Sequence, residues 1–168
     1  MSSSDQIQQK AQQILDSNLY LTIAVADEHG EPWIANLYYA VADDGTFYWY
    51  SSKETRHSKL IARNPKVALS IFNSTATGDS VDALYIQANA YEVTDKLELV
   101  KGLRVYASKM LKTKFADKQA ATRFQEQYQD FQAASKLRLY KAIPAKTWKC
   151  GPTEVYNEKF MDSRVEVG

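Results

Sequence analysis

The chain has 168 residues, with 45% hydrophobic and 24% charged side chains, enough for one domain with a sizeable core. Lys plus Arg total 21 and Asp plus Glu total 20, a net charge of +1. That balance excludes a general attraction to nucleic acid or to an anionic membrane, so any basic site must be local.

A first helix is expected from Ser4 or Asp5, with Ile7, Ala11, Ile14 and Leu15 on one face and Asn18 near its end. The stretch MSSSDQIQQKAQQILDSN lacks the apolar core of a signal peptide. Leu19–Ala26 reads as a strand and DEHGEP as a turn, followed by a second strand over Pro32–Ala42. Asp43-Asp44-Gly45 signals a tight hairpin into a third strand, Thr46–Ser51. A short helix over Thr55–Arg63 stops at Asn64-Pro65. Lys66–Asn73 and Ala83–Thr94 are the fourth and fifth strands, separated by a polar loop. Asp95 to about Ser135 reads as helix, with Ala121, Phe124, Tyr128 and Phe131 on one packing face. Leu137–Ile143 returns to strand alternation, Lys146–Lys149 adds a further short strand, and the tail from Glu154 is polar. Clustered strands with short turns indicate α+β rather than α/β, a barrel with helices outside it. No repeat or linker divides the chain, so a single domain is expected.

The catalytic signatures of phosphate loops, dinucleotide folds, nucleophile elbows and zinc helices are absent from the sequence. With two histidines and one cysteine, soft metal ligands are scarce, and no metal site is expected. The lone Cys150 fits a reducing cytoplasm. No window reaches the apolar length of a membrane span.

The chemistry concentrates in WYSSKETRHSKL, Trp49–Leu60. Lys53, Arg56, His57 and Lys59 crowd the start of a helix, where the backbone dipole repels cations. Solvated surface charge with Glu54 as a partner is one explanation. A bound anion is the other: it would be attracted by the side chains, by the hydroxyls of Ser51, Ser52 and Thr55, and by the unpaired first-turn N–H groups. Arg56 supplies a planar fork suited to phosphate. The neighbouring strands carry Trp33, Tyr38, Tyr39, Phe47, Tyr48, Trp49 and Tyr50. A phosphate anchor beside aromatic strands suits a flat aromatic ligand with a phosphate tail.

The stretch VADEHGEPWIANLYYAVADDGTFYWYSSKETRHSKLIARNPKVALSIF, followed by ALYIQANAYEVTD, resembles the pyridoxamine 5′-phosphate oxidase-like, FMN-binding split-barrel family. The carriers are D-x-x-G-x-P, D-D-G, the aromatic strand, Thr55-Arg56-His57 and N-P-x-V-A-L. The resemblance implies an antiparallel split β-barrel of about six strands with peripheral helices, and a homodimer with FMN at the interface. It implies cofactor contacts from Tyr50 and Ser51 at the strand end, the FMN phosphate at Thr55, Arg56 and His57, and the ring along Ala35, Asn36, Leu37 and Tyr38, with Gln87 as a polar contact. His57 stands where many members have lysine, which implies a weaker or pH-sensitive grip. Ala35 stands where the namesake oxidase has arginine. The tail has Trp148 but no Arg-x-His pattern, so the namesake activity is not expected, and the C-terminal histidine of haem-handling relatives is missing. The implied function is a flavin-dependent oxidoreductase served by a nicotinamide donor. The alternatives are a non-catalytic flavin or deazaflavin binder and a cofactor-free interaction module.

Overall fold

The computed structural model describes residues 3–77, 81–126, 128–131, 135–151, 154–156, 159–161 and 163–167. Helix α1 spans Ser3–Ser17 and leads into strands β1 (Tyr20–Ala26), β2 (Pro32–Tyr38), β3 (Ala40–Val41) and β4 (Phe47–Ser52). Helix α2 (Arg56–Arg63) is followed by β5 (Lys66–Phe72) and β6 (Ala83–Glu92). Helices α3 (Lys96–Lys112) and α4 (Lys118–Glu126) and a 3-10 turn (Tyr128–Phe131) precede β7 (Leu137–Cys150). Short strands β8 (Glu154–Tyr156), β9 (Lys159–Met161) and β10 (Arg164–Glu166) complete the order. None of the described helices is long and apolar enough to cross a membrane.

The main sheet runs β2-β1-β5-β6-β7-β4-β3, with β10 on β7, and every pairing is antiparallel. Its two end strands, β2 and β3, are separated in the chain by Tyr39 alone. The sheet therefore has to curl until its ends meet there. No β2–β3 ladder forms among the described residues, so this barrel is split rather than closed. The expected second strand, Pro32–Ala42, is thus two strands that belong to opposite ends of the sheet. Tyr39 is fully buried at the break, and its hydroxyl donates to Leu15 O at 3.0 Å.

Strand alternation sets the core. Leu21, Ile23 and Val25 of β1, Leu69 and Ile71 of β5, and Ile86 and Ala88 of β6 face the same interior as Trp49 of β4 and Tyr140 of β7. Ala11 and Ile14 of α1 and Leu60 and Ile61 of α2 also join this core. A second cluster lies on the other side of β4, where Tyr48 and Leu139 meet Leu99 and Leu103 of α3 and Phe131.

The helical stretch expected over 95–135 is broken. Its first part begins at the N-cap Asp95, whose carboxylate accepts from Glu98 N. It stops at Thr113, and Lys114 takes a left-handed φ of 55°. Phe115 then lies against Tyr38 at 4.4 Å between ring centroids. Ala121, Phe124 and Phe131 pack inward as the spacing implied, while the side chain of Tyr128 lies outside the described residues. The two strands expected after it are one strand, β7, in which the register shifts opposite Gln87 and Ala88.

Candidate functional site

The turn between β4 and α2 builds a compact set of donors. Thr55 is the N-cap of α2, yet its side chain makes no cap bond to the first-turn amides. Its Oγ1 lies instead 2.9 Å from Ser52 O, 2.8 Å from Ser58 Oγ and 3.1 Å from His57 Nε2. The first-turn N–H groups are thereby left without an intrahelical partner, as at any helix start. His57 Nε2 is 2.9 Å from Ser51 Oγ. Ser51, Thr55, His57 and Ser58 thus form one connected network.

His57 faces inward with Ser58, Leu60 and Ile61, all buried. Burial lowers its pKa below the ordinary imidazole value of 6.5, so the ring is mainly neutral at pH 7. It acts here as a partner of two hydroxyls rather than as a cation. The unfolded chain protonates His57 at higher pH than the folded chain does. Unfolding is therefore favoured as pH falls through about 6.5 toward the lower folded value. In urea melts between pH 7.5 and 5, the wild type is expected to lose stability across that window and His57→Gln to lose less. Identical pH profiles would show that the imidazole is not held neutral.

Arg56 takes no part in this network; its guanidinium lies 4.7 Å from the centre of the Trp33 ring. This cation–π contact ties the start of α2 to the start of β2. Lys59 pairs with Glu54 at 3.1 Å. That leaves a turn of hydroxyls, backbone amides and a guanidinium, with the turn's own Glu54 engaged by Lys59. Such a donor set can hold a phosphate.

The other expected site residues are more dispersed. Leu37 is buried in the barrel core, and half-buried Ala35 packs against it. Asn36 and Tyr38 occupy the opposite face of β2. Asn36 Oδ1 accepts from Thr22 Oγ1 at 2.7 Å. The Tyr38 ring packs on Tyr106 and Phe115, and its hydroxyl sits 3.0 Å from Thr113 Oγ1. Burial raises the Tyr38 pKa. Tyr50 meets Tyr106, Phe124 and Phe131 in the same aromatic group and remains 39% exposed, which leaves part of its ring open to a ligand.

Gln87 is exposed on β6 and sits opposite Lys146, whereas Ser51 sits opposite Arg138. Those β7 positions differ by eight residues (146 − 138), about 26 Å along an extended strand. One protomer therefore does not bring Gln87 to the Thr55 turn.

The Arg56–Trp33 contact joins distant segments and carries no local signal in the sequence. Ser58, and Tyr140 whose hydroxyl faces it, also belong to this corner. Ser58 was within reach, since residues 57, 58, 60 and 61 trace the inner face of one helix.

A curled antiparallel sheet with four outer helices and a phosphate-suited turn at the β4–α2 corner defines a split-barrel protein. Residues 7–141 match the family model described as pyridoxamine 5′-phosphate oxidase, and the chain belongs to that family. A pyridoxine/pyridoxamine 5′-phosphate oxidase of Vibrio cholerae is 35% identical over 69 residues, covering 39% of this chain and 33% of that protein. The matched stretch thus spans about a third of that relative's length.

Among solved structures, Rv2991 of Mycobacterium tuberculosis aligns with a TM-score of 0.63 at 15% identity, covering 88% of this chain and 82% of that one. The haem storage protein HutZ of Vibrio cholerae gives 0.59 at 17%, covering 82% and 89%. A FAD-binding protein of Mesorhizobium loti gives 0.54 at 14%, covering 89% and 94%. At these identities the likeness is one of fold.

Proposed function

We propose that the chain binds FMN by its phosphate at Ser51, Thr55, Arg56 and the first turn of α2, and that it is a cytoplasmic flavin-dependent oxidoreductase. Family membership and the Ser51–Thr55–Arg56 turn support this reading together. Bound flavin supplies the redox chemistry, and the protein supplies position and electrostatics. Ser51 and Thr55 offer hydroxyls pre-set by His57, while Arg56 offers a guanidinium pre-set by Trp33.

The site is completed in a homodimer. The outer face of β1, β2, β5 and β6 carries Tyr20, Ile34, Phe72 and Tyr91, between 42% and 64% exposed. That is more apolar surface than a monomer readily leaves in water. A second copy covering it also offers the route by which Gln87 reaches the flavin of its partner. A monomer at micromolar concentration by light scattering would sink the dimer.

Haem as the ligand finds less support. The sequence has two histidines, and His57 is buried with its Nε2 engaged, which leaves only His29 in an exposed turn.

The double variant Thr55→Ala, Arg56→Ala is expected to weaken FMN binding by about 10- to 100-fold, since charged hydrogen bonds are lost. Flavin fluorescence titration measures it. Unchanged affinity would remove the anchor from this turn. Reduction of the bound flavin by NADH or NADPH then separates an oxidoreductase from a binder or a deazaflavin carrier.

A further inference from the structure

A groove along α2 begins where the anchor ends. It holds about 260 Å³ and is lined by Glu54, Arg56, Lys59, Leu60 and Arg63. Positions 56, 59, 60 and 63 form one stripe of the helix, and three of the four are cations. The volume falls below the roughly 300 Å³ at which pockets enclose a whole small ligand. It is sized for one part of a longer molecule whose remainder is held elsewhere.

Arg56 belongs to both the anchor and the groove. Its partner Trp33 is 40% exposed, so an aromatic surface stands beside the groove's head. Two carboxylates compete there: Glu54 lies 3.1 Å from Lys59 and Glu28 lies 3.8 Å from Arg63. All four side chains are more than half exposed, from 55% to 67%. Such pairs contribute little and give way to a phosphate.

We propose that this groove receives the adenosine phosphate half of a dinucleotide flavin, with the second phosphate on Lys59 and Arg63 and the adenine on Trp33. The inference rests on reading the Ser51–Thr55–Arg56 turn as the flavin phosphate site. FMN ends at its phosphate and uses that turn alone. Arg63 lies two turns beyond the anchor and has no role toward FMN, whereas a pyrophosphate places its second phosphate further along α2. Trp33 supplies the π-face on which a base stacks.

The test is titration of the full chain with FMN and with FAD, read by flavin fluorescence. FAD is expected to bind about tenfold tighter than FMN. Arg63→Ala, at an exposed position two turns from the anchor, is expected to remove most of that preference and leave FMN affinity unchanged. Adenosine 5′-monophosphate is expected to compete with FAD and not with FMN. Equal affinities for the two flavins overturn the groove assignment and leave the anchor standing, as does a FAD preference that survives Arg63→Ala. Failure of both flavins to bind overturns the anchor and the groove together.

Discussion

Gly102→Ala is expected to lower the unfolding free energy by about 1–3 kcal/mol, the cost of overpacking a filled core. Inside a helix the same change ordinarily gains about 1 kcal/mol, so the sign depends on the surroundings. A Cβ at Gly102 would lie 2.6 Å from Leu139 Cδ2 and 2.7 and 2.9 Å from two ring carbons of Tyr48. Both neighbours are fully buried. Tyr48 is also fixed at its far end by a hydrogen bond from its hydroxyl to Glu98. Leu139 can shift a little, but the ring cannot, and the clash outweighs the propensity gain. Thermal melts should show a drop of several degrees at about 2–4 °C per kcal/mol. Gly102→Val, with two further methyl groups, should drop further. The loss also bears on function, because Tyr48 sits on β4 three residues before Ser51. Displacement of β4 should weaken FMN binding alongside stability. A Gly102→Ala protein that melts higher than wild type would show that α3 does not pack this closely on β4.

Local signals made much of this architecture legible. Asp43-Asp44-Gly45 closed its hairpin as expected: Gly45 takes φ +79°, and Asp44 Oδ1 accepts from Thr46 N at 3.0 Å. Asn64-Pro65 ended α2, and alternation marked β1, β5 and β6. Features set by distant contacts were not legible. Nothing near Tyr39 announces that the chain passes there from one end of the sheet to the other. That break follows from β2 pairing with β1 while β3 pairs with β4. The join of Leu137–Ile143 to Lys146–Lys149 was hidden by Pro144, which reads as an interruption but sits at the register shift opposite Ala88. At the candidate site the donors were readable as residue types in a short motif. The inward turn of His57 was not legible, because its burial depends on barrel residues far away in sequence. The Arg56–Trp33 pairing was hidden for the same reason.

Trp49→Ala is expected to cost about 3–5 kcal/mol, the range for truncating a large buried aromatic. Trp49→Phe is expected to cost far less. Trp49 is fully buried and stacks on Tyr140 at 5.8 Å between centroids, with an interplanar angle of 15°. Yet its indole nitrogen has no hydrogen-bond partner among the described residues. A buried orphan donor costs about 1–3 kcal/mol. Phenylalanine removes that donor while retaining most of the ring, so the loss of volume and the relief of the donor oppose each other. Alanine opens a cavity with too little compensation. The cavity also reaches the candidate site. The Tyr140 hydroxyl faces Ser58, and Ser58 Oγ lies 2.8 Å from Thr55 Oγ1, so the proposed anchor rests on the aromatic core. Trp49→Ala should therefore bind FMN more weakly than Trp49→Phe, although residue 49 is not among the anchor's donors. Chemical unfolding of the two variants measures the stability gap, and flavin titration measures the transmitted effect. Equal stability losses would mean that the indole N–H is satisfied. A large stability loss with unchanged flavin affinity would mean that the anchor is held by α2 and β4 without help from the core beneath it.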